Sequence, residues 1–185
     1  MTNKEFFEKK SETSGTDREA VILLGHGSRV PEAGKEMERV AERLREKYGH
    51  LLVEVCFMSR LGPHFPETLE KCVARGAKNV LVVPYFLHMG LHIVLDIPEM
   101  LQEEIRRYPD VNLRLGCGFG FDELLVDLVE KRINEARELS DVREIELPEK
   151  DRYPVPPGQC EFVPMLPEEA ARFRGTDGEN LKGGD

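Results

Sequence analysis

The fold is decided by the stretch Val21-Ile22-Leu23-Leu24-Gly25-His26-Gly27-Ser28-Arg29, in which an apolar run ends at a histidine between two glycines. The run predicts a buried strand, because parallel strands covered on both faces are apolar throughout. Gly25 and Gly27 allow a tight turn and the close approach of a ligand. His26 is therefore predicted to lie at the carboxyl end of a strand, where its imidazole can contact a ligand.

Four strand candidates alternate with four helical patterns along the chain. The strand candidates lie at 20–25, 51–58, 80–87 and 111–117; the first three are nearly continuous apolar runs and the fourth alternates. The helical patterns, each with apolar residues on one face, lie at 33–48, 65–73, 100–108 and 124–136. This order predicts an α/β three-layer sandwich: a four-stranded parallel sheet, with one edge strand among central strands and helices on both faces.

The composition divides the chain into three predicted parts. Residues 1–18 are charged and polar and are predicted to be a flexible leader, and residues 19–140 form the α/β domain. Residues 141–185 are predicted to be a proline-rich, partly disordered tail, because six of the twelve prolines fall between 148 and 167. Apolar residues at 162–166 indicate that part of this tail docks on the domain or on a partner.

Charge and cysteine content exclude several classes of protein. The net charge is -9, from 26 basic and 35 acidic residues, which argues against general nucleic-acid binding. No stretch has the length of a membrane span or the pattern of a secretory signal, so we expect a cytoplasmic protein without membrane contact. The four cysteines have no zinc-site spacing, and the three at positions 56, 72 and 117 lie in apolar runs, which predicts buried thiols.

A second histidine, His92, follows the third predicted strand. Ligands of open α/β sheets bind outside the carboxyl ends of the strands, near the point where strand order reverses. His26 and His92 are therefore predicted to share a metal or proton-transfer site, which would suit a borderline divalent metal. Asp96 has two interpretations: it caps a helix in a capping box with Glu99, or its carboxylate orients His92.

Other polar residues lie near the same predicted edge. Arg29 and Arg60 follow the first two strands and are the best local cations for binding carboxylates. Ser28 is a candidate helix cap. His88 and His64 could reach the cleft, whereas His50 is predicted to be solvated on a turn.

These residues resemble the small class II chelatases of the CbiX/SirB type. The resemblance covers residues 20–137 and depends on Gly25-His26-Gly27-Ser28-Arg29, on 53–57 and 82–87, and on Gly90, His92 and Asp96-Ile97-Pro98. It implies a chelatase-like fold, a homodimer whose two copies imitate the halves of longer chelatases, and metal insertion into sirohydrochlorin. Co²⁺ is the first choice from family usage, with Fe²⁺ and Ni²⁺ as alternatives, and no organic cofactor is needed.

The resemblance also assigns roles to residues. The family's metal-site histidines fall on His26 and His92. In the mechanism expected here, and not from the resemblance, the residues that contact the tetrapyrrole are Ser28, Arg29, Ser59, Arg60 and His88. Many members carry a glutamate where this chain has Ser59. Two alternatives therefore stay open: a non-catalytic metal-delivery or tetrapyrrole-binding module, and a flavodoxin-like nucleotide or flavin binder without a proper phosphate-binding fingerprint.

Overall fold

A computed structural model describes residues 18–28, 30–49, 52–59 and 62–149 of the chain. The strands are β1 (Arg18–Gly25), β2 (Leu52–Phe57), β3 (Ala77–Pro84) and β4 (Asn112–Leu115). The helices are α1 (Lys35–Tyr48), α2 (Phe65–Ala74), α3 (Ile97–Ile105) and α4 (Glu123–Ala136). A 3-10 turn at Pro31–Gly34 precedes α1, and a π-helical turn at His92–Asp96 precedes α3. The predicted βαβαβαβα order is confirmed, while 1–17 of the predicted leader and 150–185 of the predicted tail lie outside the described residues.

The sheet is parallel throughout, with strand order β2-β1-β3-β4. The chain leaves β1 toward β2 on one side and then crosses to β3 on the other, so strand order reverses at β1. Right-handed crossovers then put α1 on one face of the sheet and both α2 and α3 on the opposite face. The predicted three-layer α/β fold is confirmed.

Two buried clusters mark these faces. On the α1 face, Leu23, Val53 and Val55 pack against Met37 and Ala41 of the helix. The α2–α3 face carries the larger cluster, which joins strand residues to both helices: Ile22, Leu24, Val80, Val82, Phe65, Leu69, Ile97 and Leu101. The α2–α3 face is therefore covered across the sheet, whereas α1 covers its face mainly over β2.

The prediction of which strands lie at the edges of the sheet and which lie at its centre was only partly right. The alternating β4 is an edge strand, as predicted, but the continuously apolar β2 occupies the other edge. β2 is apolar because α1 and α2 bury it on both faces, although none of the described strands pairs with its outer side. Its one charge, Glu54, pairs at 2.7 Å with Lys71 of α2 and at 2.9 Å with Arg75, the residue that follows α2.

The cysteines are divided between core and surface. Cys56 and Cys72 are buried as predicted, and burial raises the pKa of the Cys72 thiol to about 11. Burial likewise raises the pKa of Cys56. The prediction was wrong for Cys117, which is exposed because β4 ends at Leu115 and the chain has already left the sheet.

The α4 helix begins at a side-chain cap, where the Asp122 carboxylate accepts from the Leu124 N–H at 2.9 Å, and a 3-10 turn at Val142–Glu144 follows it. Its apolar face was predicted from sequence, yet none of its residues is buried. Among the described residues, no helix is both long and apolar enough to cross a membrane.

Candidate functional site

His26 lies immediately beyond β1 at the carboxyl edge of the sheet, with an exposed side chain. Its backbone is held by the segment after β2: the Ser59 N–H donates to the His26 carbonyl at 3.1 Å, and Ser59 Oγ donates to the same oxygen at 3.0 Å. The neighbouring Met58 N–H donates to the Gly25 carbonyl at 2.9 Å. The strand ladder therefore continues past β1 and β2 and fixes the backbone that carries the imidazole.

Gly27 is required by this arrangement. Its φ of 95° lies in the left-handed region, and an added Cβ would collide with the Ser59 carbonyl oxygen and lie 3.0 Å from the carbonyl carbon. The two segments can pass this closely only because position 27 has no side chain. The tight turn predicted at Gly27 is therefore present, and the Ser59 backbone is what comes close to this glycine; the predicted close approach of a ligand stays a prediction.

His92 begins the π-helical turn that runs into α3, and its side chain is half exposed. Its Nδ1 lies 2.5 Å from Oδ2 of Asp96, four residues later. The Asp96 carboxylate makes no capping hydrogen bond to the backbone, because the turn is already helical at this point. The capping-box interpretation was wrong, and the alternative, a carboxylate that orients the imidazole, describes the contact in the structure. A carboxylate partner of this kind determines which ring nitrogen remains available to bind a metal ion.

The two imidazoles lie side by side. Their ring centroids are 5.3 Å apart with the planes inclined by 55°, and the edge of Phe86 lies near His26 at 6.4 Å between centroids. A first-row metal ion about 2.1 Å from one nitrogen of each ring would lie about 3.2 Å from each centroid. Rings 5.3 Å apart would then subtend about 110° at that ion. The separation is therefore compatible with both imidazoles binding one ion.

A cleft of about 230 Å³ opens beside His26, between the ends of β1 and β2 and the start of α1. Ser28, Glu36 and Phe57 are among its lining residues, and His92 is not. The imidazole pair thus lies at the edge of the cleft and faces solvent. Within the described ranges, no group of three or more histidine, cysteine or carboxylate side chains is arranged to hold a metal.

Comparison with known proteins gives the same fold. The family model described as CbiX matches residues 20–136. The chain belongs to the CbiX family. It is 37% identical over 117 residues to a sirohydrochlorin ferrochelatase of Priestia megaterium, covering 63% of this chain and 44% of that protein. It is also 30% identical over 128 residues to a sirohydrochlorin cobaltochelatase of Methanosarcina acetivorans, covering 65% of this chain and 98% of that one.

A solved structure shares the architecture. The sirohydrochlorin chelatase SirB from Bacillus subtilis subspecies spizizenii, in complex with cobalt, superposes with a TM-score of 0.60 at 31% identity. The superposition covers 64% of this chain and 50% of SirB. The chain spans about half the length of the first curated relatives it matches, between 39% and 58%. The family resemblance stated from the sequence is confirmed.

Other predicted residues of this CbiX-family chain fall in different surroundings. Ser28 lines the cleft, and its Oγ accepts from the Val30 N–H at 3.0 Å. Val30 is the N-cap of the 3-10 turn and no side chain caps that turn by a hydrogen bond, so the prediction that Ser28 caps the following helix was wrong. Ser59 turns its hydroxyl onto the His26 carbonyl. His88 is exposed on the loop after β3. Arg29, Arg60 and His50 lie outside the described residues.

His64, which was considered as a residue that could reach the cleft, makes a local backbone contact instead. Its Nδ1 lies 3.1 Å from the Phe57 carbonyl oxygen, and it precedes the first turn of α2. It therefore ties the end of β2 to the following helix.

Two features were missed from sequence. Glu36 brings a carboxylate to the cleft from the first turn of α1, where an acidic residue is an ordinary helix signal. Leu91 and Leu95, 73% and 56% exposed, flank His92 on the surface. The spacing of four residues would have placed them on one helical face, but only if a helix had been predicted to begin before Asp96.

Proposed function

We propose that this chain inserts a divalent metal ion into sirohydrochlorin, with Co²⁺ as the first choice and Fe²⁺ and Ni²⁺ as alternatives. The observation that carries the proposal is the 5.3 Å separation of the His26 and His92 rings at the carboxyl edge of the sheet. Support for the substrate comes from relatives named as sirohydrochlorin chelatases, which include both ferrochelatases and cobaltochelatases. Imidazole accepts all three metals, so the choice among them depends on experiment.

His26 and His92 receive the incoming metal in this proposal. Two pyrrole N–H protons must leave the macrocycle for each divalent ion inserted, and a neutral imidazole nitrogen can accept such a proton. Asp96 holds Nδ1 of His92, which leaves the other ring nitrogen to bind metal or accept a proton. The metal is a substrate, and the reaction needs no redox change and no organic cofactor.

The macrocycle is proposed to lie over the imidazole pair, since the cleft beside His26 is small. Its carboxylates would be held by Arg29 and Arg60, with Ser28, Ser59 and His88 nearby. Exposed Leu91 and Leu95 offer an apolar surface beside His92 that suits the flat face of the ring.

We further propose a homodimer. The matching region is 98% of the Methanosarcina cobaltochelatase but 44% of the Priestia ferrochelatase. The same unit therefore makes up nearly the whole of one relative and about half of the other. Two copies of this chain would supply the two units of a longer relative. A cytoplasmic location remains a prediction from sequence.

The test is insertion measured metal by metal. Sirohydrochlorin is mixed anaerobically with Co²⁺, Fe²⁺ or Ni²⁺, with and without the full chain, and the absorption change is followed. We expect His26→Ala and His92→Ala each to slow insertion by at least about 100-fold, because a positioned acid–base group contributes on the order of 10²–10⁴. His50→Ala, which changes the histidine predicted to be solvated, serves as the matched control. Full activity in both site variants would refute the assignment.

A non-catalytic module is the second candidate. The described residues offer two imidazoles and no third ligand group around a metal, and Ser59 stands where the family resemblance implies a glutamate. The same assay separates the candidates: a spectral shift on binding sirohydrochlorin, with no acceleration for any metal, would favour a tetrapyrrole-binding or metal-delivery protein.

A further inference from the structure

The two imidazoles of the site have no spare nitrogen once they hold a metal ion. Nδ1 of His26 lies 3.3 Å from the Gly27 carbonyl oxygen, which can only accept, so this nitrogen carries the ring hydrogen. Nδ1 of His92 faces Oδ2 of Asp96 at 2.5 Å in the same way. A neutral imidazole has one nitrogen with a free lone pair, which is then Nε2 in both rings. A ring that binds metal through this lone pair cannot also accept a proton.

Metal insertion needs a proton acceptor while the imidazoles are occupied. For each divalent ion two pyrrole N–H bonds break, and both electron pairs stay on nitrogen and form bonds to the metal. The second proton can go to an imidazole nitrogen that the metal has left. The first proton leaves while both rings still hold the metal, so it needs a different base. The Asp96 carboxylate already accepts from the His92 ring, which directs the search to the other side of the site.

The cleft beside His26 contains a carboxylate. Glu36, in the first turn of α1, lines this cleft of about 230 Å³ together with His26 and Ser28. Among the described residues that line the cleft, Glu36 has the only acidic side chain. A cavity of this size has room for several water molecules, which occupy about 30 Å³ each in the liquid. The cleft can therefore carry a proton by way of water from a macrocycle above His26 to Glu36.

The start of α1 is packed tightly against the ends of β1 and β2. Met37 is 4% exposed, and a Cβ added at Gly25 would lie 3.0 Å from its Cε atom. Gly34, the N-cap of α1, faces Phe57 so closely that an added Cβ would lie 2.8 Å from Cζ of the ring. Because Gly25 directly precedes the cleft histidine and Met37 directly follows the cleft glutamate, this packing holds both residues beside the same cleft.

Glu36 differs from the neighbouring carboxylates in its surroundings. Glu32 lies 4.0 Å from Lys35, and Glu38 lies 3.8 Å from Arg45. No residue that the structure describes forms such an ion pair with Glu36, whose side chain is exposed. Its carboxylate oxygens therefore remain available to accept a proton, and the open cleft gives them contact with solvent.

We propose that Glu36 accepts the first pyrrole proton, through water in the cleft, while His26 and His92 hold the metal ion. This inference rests on the proposed chelatase function and names a further residue for it. The N–H bond breaks, its electron pair stays on the pyrrole nitrogen, and the proton passes through water to a Glu36 carboxylate oxygen. Glu36 then releases the proton to solvent, which regenerates the carboxylate for the next turnover.

Glu36→Ala removes the acceptor and leaves both imidazoles in place. With the metal that the wild-type chain inserts fastest, we expect kcat to fall about 100-fold, since a positioned base contributes on the order of 10²–10⁴. The KM for sirohydrochlorin should stay unchanged, and so should the Kd of Co²⁺ measured without the macrocycle. A proton acceptor acts in the reaction step and binds neither substrate.

Glu38→Ala is the matched control. It removes a carboxylate from the same first turn of α1, at a position that does not line the cleft. Both variants change the net charge equally and remove an acidic residue from the start of the same helix, so their unfolding midpoints should agree. Insertion should be slow in Glu36→Ala alone. An equal loss in Glu38→Ala would show that charge near the site sets the rate, and would overturn the proposal.

Rescue by formate provides a readout that a structural role of Glu36 would not give. Formate is a small carboxylate, and Glu36→Ala leaves space for it in the cleft. Added formate should raise the kcat of Glu36→Ala saturably, compared with chloride at the same concentration. Glu36→Gln fills the space with an amide, so this variant should be as slow and should not respond. The wild-type chain and Glu38→Ala, which keep Glu36, control for effects of formate on the metal ion itself.

Three results would reject the role of Glu36 and leave the chelatase function standing. The first is wild-type kcat in Glu36→Ala. The second is a slow Glu36→Ala chain that formate does not accelerate. The third is a weaker Kd for Co²⁺ in Glu36→Ala, which would make the carboxylate a metal contact. A wild-type chain that accelerates insertion of none of the three metals would reject the chelatase function and this role together.

Discussion

The two imidazoles of the site are held in different ways. His26 is held through its backbone, by two hydrogen bonds from Ser59, 33 positions away in sequence. His92 is held through its ring, by Asp96 four residues later in the same helical turn. One arrangement depends on two strands lying in register, and the other depends only on local helical geometry.

The difference predicts different consequences of mutation. Disturbing the backbone support of His26 displaces a whole loop, so folding stability and activity should fall together. Disturbing the partner of His92 changes one imidazole and leaves the chain in place, so activity should fall alone. Variants near each histidine can therefore test whether His26 depends on the fold of the whole domain while His92 depends on a local contact.

Gly27→Ala is expected to have the largest effect. The new Cβ would meet the Ser59 carbonyl, a backbone group that cannot move away, and it would do so at a φ of 95°. We expect a loss of about 3 kcal/mol or more in the free energy of unfolding. Insertion should fall by at least about 100-fold, because small displacements of catalytic groups have effects of that size. Chemical denaturation and the insertion assay measure the two effects.

Gly49→Ala is the matched control for backbone strain. Gly49 also has a positive φ, 55°, but nothing lies within 4 Å of the added Cβ. The expected loss is about 1 kcal/mol with insertion unchanged. Equal effects of the two variants would show that strain alone, and not the contact with Ser59, makes Gly27 necessary.

Asp96→Ala tests the local support. The His92 ring would lose the carboxylate at 2.5 Å, and loss of such a partner typically costs 10–100-fold in metal affinity or activity. The unfolding midpoint should stay near its original value, because Asp96 is half exposed and makes no helix-capping hydrogen bond. Titration with Co²⁺ and initial insertion rates provide the measurement.

Two further variants sharpen this test. Asp96→Asn keeps an oxygen that can accept from the ring, so it should retain more activity than Asp96→Ala. Glu99→Gln changes the neighbouring carboxylate in the first turn of α3 and should have no effect on insertion. If Asp96→Ala lowers stability but binds Co²⁺ normally, the carboxylate serves the helix and not the imidazole.

The sequence predicted the meeting of His26 and His92 because both follow strands whose carboxyl ends share one edge of a parallel sheet. It left two roles open for Asp96, capping a helix or orienting the His92 ring. A carboxylate four residues after a histidine can do either, depending on where the helix begins. The helix begins earlier than Asp96 because a π-helical turn precedes it, and no simple residue pattern marks that turn.

Features that depend on distant segments were not predictable. The Ser59 contact requires β1 and β2 to be aligned as they are, and periodicity does not specify strand alignment. The apolar run of β2 was interpreted as central because burial by two helices and burial between two strands give the same pattern. The helix at 124–136 was predicted correctly, but its apolar face does not reveal whether that face is buried, and no residue of α4 is.

Ser59→Ala is expected to have the smallest effect and tests how the support of His26 is shared. It removes the Oγ bond at 3.0 Å and leaves the backbone N–H bond at 3.1 Å to the same carbonyl. A single hydrogen bond contributes about 1 kcal/mol net, so stability should fall by about that amount and insertion by less than about 10-fold. Ser140→Ala, at an exposed position beyond α4, is the control. If Ser59→Ala lowers stability and insertion as much as Gly27→Ala does, the hydroxyl, and not the backbone N–H, holds the loop. Each histidine would then be held by one side-chain contact, and the difference between a global and a local support would disappear.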